Sequence, residues 1–128
     1  MWKIFVIVIT VLISYALSDC DITVERVSPD HGNDIVNGVY KKVEPTSCQT
    51  RDVFQHTDQV IYLYYIESAG YWMFSHHCGC GNGNIDDGYV RSHDDEINPG
   101  LIQSGWEEKI SEGNWKPNSN IDVGCSGM

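Results

Sequence analysis

The sequence predicts a mainly β fold: a small, single-domain antiparallel sheet with disulfides, spanning residues 19–128 after a cleaved leader. Three observations carry that prediction. Short runs of β-branched and aromatic residues recur along the chain, clusters of Gly, Asn, Asp and Pro separate them, and five cysteines follow a segment suited to export. Val, Ile, Tyr and Trp fit a pleated, half-buried surface, whereas Gly and Asn-Gly pairs suit tight turns.

The leader comes first. Met1, Trp2 and Lys3 form a short n-region with one positive charge, and residues 4–13 (IFVIVITVLI) are apolar except for Thr10. In residues 14–18 (SYALS), Ala16 and Ser18 occupy the minus-three and minus-one positions of a cut before Asp19. That is the pattern of a secretory signal peptide. The apolar run is about half of the roughly 20 residues that a membrane-spanning helix needs, and no second run follows it. A lipid-attachment site at Cys20 is disfavoured because Asp19 stands where such a site takes a small neutral residue. The expectation is a secreted, extracellular protein with no membrane anchor.

Strand signals then follow in order. Residues 22–27 (ITVERV) are short and β-branched, and turn material from Ser28 to Asp34 succeeds them. Asn37-Gly38 introduces residues 39–43 (VYKKV). The clearest element is residues 59–68 (QVIYLYYIES), which turns through residues 67–70 into 71–75 (YWMFS) as a β-hairpin. Val60, Tyr62, Tyr64 and Ile66 share one face of it, and Ile61, Leu63 and Tyr65 the other. With both faces apolar or aromatic, this strand belongs at the centre of the sheet. Residues 78–88 (CGCGNGNIDDG) form a glycine-rich loop, residues 88–91 a short strand, and Asn98-Pro99-Gly100 a turn. Residues 101–110 (LIQSGWEEKI) fit either a short helix, which Gly105 opposes, or a strand from Trp106 that turns at 112–114 to Trp115. Residues 121–125 close the domain.

Charge and cysteines narrow the function. Removing residues 1–18 takes away one lysine and no acid, so a net charge of −10 becomes −11. Such a surface repels phosphate backbones and anionic lipid, which excludes nucleic acid and points to cations, basic proteins or mineral. Cys20, Cys48, Cys78, Cys80 and Cys125 all follow the leader, in an oxidising compartment where disulfides persist. Cys78 and Cys80 are too close to bond each other without strain, so each is expected to take a partner from Cys20, Cys48 and Cys125. Five is odd: one thiol is left, either buried or joining two copies into a disulfide-linked homodimer.

The motifs carry little chemistry. His76-His77-Cys78-Gly79-Cys80 has zinc-ligand residue types, but the cysteines stand closer than zinc sites space them, and disulfides with two strand-end histidines are the expectation. Asn82, Asn84, Asp86 and Asp87 resemble alternating calcium ligands, yet an EF-hand register fails, with Asp87 where glycine is required and His93 where the bidentate glutamate belongs. A looser, weak calcium site using Asp86, Asp87, Asp94 and Asp95 is the residual metal candidate, against a merely solvated acidic loop. No G-x-S-x-G, H-E-x-x-H, P-loop or dinucleotide fingerprint occurs, so neither an enzyme nor a cofactor is expected. Tyr62, Tyr64, Tyr65, Tyr71, Trp72, Phe74, Tyr89, Trp106 and Trp115 suit a core better than a binding surface.

One larger pattern is present. Asn37-Gly38-Val39-Tyr40, then Tyr62-Leu63-Tyr64-Tyr65, then Gly70-Tyr71-Trp72, with Trp106, Trp115 and Cys125 behind them, resembles small secreted β-modules in extracellular proteins of marine invertebrates. The resemblance implies a non-catalytic extracellular part and carries over no functional residue. The reading is a secreted, non-enzymatic matrix or binding component whose acidic loop, residues 86–96, meets a cation, a mineral or a basic protein surface. The alternative is a secreted effector or venom-type polypeptide that binds a receptor through an aromatic patch.

Overall fold

The computed structural model describes residues 20–44, 50–77 and 88–126. The leader, Cys48, Cys78, Cys80, Asp86 and Asp87 lie outside the described residues.

Alternation of apolar and polar residues sets each strand's inner face. In Asp21–Glu25 (β1), Ile22 and Val24 are buried and Glu25 is exposed. The other strands are Gly38–Val43 (β2), Val53–His56 (β3), Tyr62–Ile66 (β4), Tyr71–Ser75 (β5), Gly88–Ser92 (β6), Trp106–Ser111 (β7), Asn114–Pro117 (β8) and Asp122–Ser126 (β9). Among the described residues they form one sheet in the order β8-β7-β6-β5-β4-β3-β2-β1-β9, with antiparallel pairing throughout. The chain is thus a meander from β1 to β8, and β9 returns to the far edge beside β1.

The sheet is curled, and its core shows why. Ile22 and Val24 of β1 share one buried cluster with Tyr40, Leu63, Trp72, Phe74, Val90 and, from β7, Trp106. Strands β1 and β7 are six spacings apart, about 29 Å if the sheet lay flat at ~4.8 Å per strand. Only a rolled sheet brings them into one core. Phe74 and Trp106 meet with ring centroids 5.5 Å apart, and Tyr40 packs edge-on to Phe74 at 5.2 Å. The Tyr40 hydroxyl donates to the Val36 carbonyl at 2.6 Å, and burial pushes its ionisation far above the usual phenol range.

Strand β4 is fifth of nine, the central place its two apolar faces called for. Ile61 and Leu63 enter the inner core. Tyr64 and Ile66 join Val53, Tyr71 and Met73 in a second cluster on the opposite face. Farther along that outer face, Arg91 lies over the rings of Trp115 (4.1 Å) and Tyr71 (5.2 Å), linking β5, β6 and β8.

Four details depart from the sequence expectation. Strand β3 forms where no strand was expected, because pairing to β2 and β4 supplies what its four residues lack locally. Val60 is not a strand residue but 63% exposed in the turn before β4. Of the two readings of residues 101–110, the strand is correct from Trp106 onward; Gly105 has φ +90°, which no right-handed helix accommodates. Pro99–Leu101 is a single 3₁₀ turn. Finally, Cys20 bonds Cys125, so these two cannot serve Cys78 and Cys80 as expected. The β1–β9 pairing is the reason, since it sets Ile22 opposite Cys125 and brings Cys20 and Cys125 to the same end of the pair.

That bond closes a sequence separation of 105 residues and ties both ends of the described chain together. A loop of that size restricts the unfolded chain by about 5 kcal/mol in the chain-entropy picture. The double substitution Cys20→Ala/Cys125→Ala is expected to lower unfolding stability by about 2–4 kcal/mol, measured by denaturant titration of the purified protein.

Candidate functional site

The connection between β6 and β7, residues 93–105, crosses the end of the sheet where the disulfide lies, and it carries Asp94, Asp95 and Glu96. Its backbone is fastened from beneath. Arg51 Nη1 donates to the carbonyls of Asp95 (2.9 Å) and Glu96 (3.3 Å), and Trp72 Nε1 donates to the Glu96 carbonyl at 2.8 Å. Arg51 is held in turn by stacking over the Tyr65 ring, 3.6 Å from its centroid. Asp94 accepts the Glu96 N–H at 2.9 Å through Oδ1, closing a local turn. Asn98 caps the 3₁₀ turn by accepting from Gly100 N at 2.9 Å, and its Nδ2 lies 3.6 Å from Cys125 Sγ. Pro99 and Ile102 are buried.

With its main chain committed inward, the strap turns its acids outward: Asp94 and Asp95 are exposed and Glu96 is half-buried. Asp86 and Asp87 precede β6 and Asp94 and Asp95 follow it, so the strand stands between the two pairs in the chain. Among the described residues no three His, Cys, Asp or Glu side chains converge to hold a metal ion. His76 and His77 are exposed after β5; His76 Nδ1 donates to the Val60 carbonyl at 2.8 Å, and Nε2 faces the Tyr89 hydroxyl.

Two polar clefts border the seam where the curled sheet closes. One, about 230 Å³, has Glu108 and Asn118 in its wall beside Asp30, His31 and Lys116; the other, about 290 Å³, lies across His31 and Ile110 next to Tyr89. Glu108 is only 6% exposed. It accepts from Ser28 N at 3.0 Å and from Asn118 Nδ2 at 2.7 Å, so one carboxylate joins β7 to the segment after β1 and to the β8–β9 link. Asn33 Nδ2 adds a bond to the Lys109 carbonyl at 2.8 Å. These groups hold the closure together.

His56 is buried beside Gly38, where an added Cβ would come within 2.4 Å of Nε2. Its Nδ1 accepts from the N–H groups of Asp58 (2.9 Å) and Gln59 (3.1 Å), which leaves the proton on Nε2 to donate to the Asn37 carbonyl at 2.8 Å. Sequence reasoning missed Arg51, His56 and Glu108. All three sit among ordinary polar neighbours, and only burial distinguishes them. The aromatic residues are mostly core: Tyr64, Tyr71, Trp72, Phe74 and Trp106 are buried, and Tyr62, Tyr65, Tyr89 and Trp115 are half-buried. None of the nine offers an exposed ring.

Comparison of the chain with protein-family models, curated proteins and solved structures returned no match. What fold and site define is a structural class: a nine-stranded, disulfide-tied, curled antiparallel sheet with an acidic strap across one end. The Asn37-Gly38-Val39-Tyr40, Tyr62-Leu63-Tyr64-Tyr65 and Gly70-Tyr71-Trp72 motifs fall at the entry to β2, within β4 and at the start of β5.

Two substitutions test the geometry. Glu108→Ala leaves Ser28 N and Asn118 without their acceptor and is expected to cost about 2–3 kcal/mol, read from denaturant midpoints against wild type. For His56, a long-range ¹H–¹⁵N correlation at neutral pH is expected to show the Nε2–H form; His56→Ala should cost about 2 kcal/mol by the same titration.

Proposed function

We propose that this chain is a secreted, non-enzymatic matrix or binding component that meets basic protein or mineral surfaces through its acidic strap. The observation that carries the reading is the fastening of the Asp95 and Glu96 carbonyls by Arg51 and Trp72, which holds the backbone still beside the exposed side chains of Asp94 and Asp95. A net charge of −10 over the whole chain supports the same polarity of partner. The Cys20–Cys125 bond agrees with an oxidising, extracellular setting. Cys48, Cys78 and Cys80 remain, an odd number, so one thiol stays free or links two copies.

Exposed ion pairs are worth about 0.2–1 kcal/mol each and are screened by salt. Useful adhesion therefore comes from many contacts over many copies, the arithmetic of multivalency. The spread of the described carboxylates fits a surface better than one chelated calcium ion. The aromatic-patch alternative has less support, because no aromatic residue among the described residues is exposed.

Adsorption of the secreted protein to calcium phosphate particles and to lysine-coated beads tests the reading. Retention is expected at low salt, lost at high salt, and about fivefold weaker for the triple substitution Asp94→Asn/Asp95→Asn/Glu96→Gln. Retention indifferent to salt and to these substitutions would exclude it.

A further inference from the structure

Ile97 is 69% exposed and Leu101 51%, and both stand on the strap, on either side of the Asn98–Gly100 bend. Among the described residues only Val60, in the turn before β4, matches them in exposure among the large aliphatic side chains. Their neighbours on the same strap behave differently: Pro99 and Ile102 face inward and are buried, which satisfies the core without them. The strap thus carries two exposed apolar residues that follow the exposed Asp94 and Asp95 in the chain, on a backbone already fixed by Arg51, Trp72 and Asn98. A preformed ledge loses little freedom on binding, and covering aliphatic area adds to whatever the charges contribute.

We infer that this ledge docks a segment of a partner protein in which lysine or arginine alternates with apolar side chains. The inference rests on the acidic-surface reading and adds the apolar half of the contact. Charge complementarity selects the occupant. An anionic lipid surface is repelled by Asp94 and Asp95, and a second copy of this chain would set the same acids against themselves.

The test uses the full secreted chain and two fluorescent peptides with equal numbers of lysines, one alternating Lys with Ser and one alternating Lys with Leu, followed by anisotropy at low salt. The Lys-Leu peptide is expected to bind about tenfold more tightly. Ile97→Ser/Leu101→Ser, both at exposed positions, should bring the two peptides to about equal affinity while leaving Lys-Ser binding unchanged. Asp94→Asn/Asp95→Asn should weaken both. Equal binding by the wild type, or a preference that survives Ile97→Ser/Leu101→Ser, overturns the inference and leaves the acidic-surface reading standing. If neither peptide binds, both readings are overturned.

Discussion

A β-sheet with one strongly apolar face has to bury it, and among the described residues no α-helix lies over this one. The sheet buries that face by rolling onto itself. Val24 and Trp106, far apart across the strand order, end in the same core, with Trp72, Tyr40 and Phe74 filling the space between. The rest of the structure depends on that closure. It is held where the edges approach by a carboxylate, Glu108, that joins three segments, and at the far edge by the pairing of β9 with β1. An unpaired buried carboxylate would be costly, so its hydrogen bonds also specify how far the sheet rolls.

Closure also determines where the exposed features lie. Pairing of β9 with β1 places the first and last described cysteines together, and the long β6–β7 connection then crosses the end they occupy. Because the Arg51 guanidinium and Trp72 indole satisfy strap carbonyls, the strap keeps an ordered backbone without being a strand or a helix. Its side chains divide accordingly: Pro99 and Ile102 go to the core, while Asp94, Asp95, Ile97 and Leu101 remain outside. An interior packed with aromatic rings leaves the surface as the place for binding, which is the physical basis of the proposed role.

Much of the site was not readable one residue at a time. The acids at 94–96 were visible as a run of charge, but nothing adjacent to Arg51 marks it as the residue that would hold them, more than forty positions away. Ile97 and Leu101 look like two more apolar residues near a turn; only the exposure of that pair and the burial of Ile102 separate surface side chains from core. His56 likewise reads as a polar residue in a polar stretch until the neighbouring strands enclose it.

By itself the sequence determined the β class, the hairpin into YWMFS, the central position of the two-faced YLYYI strand, most turns and the acidic surface. Each of these follows from local side-chain shape, alternation and turn chemistry, which act over a few residues. The tertiary structure alone decided that β3 exists, that residues 106–111 extend rather than coil, that Cys20 takes Cys125, and that the acids sit on a fastened strap. Those outcomes depend on which strands become neighbours when the sheet rolls, and pairing partners that far apart in the chain leave no local trace.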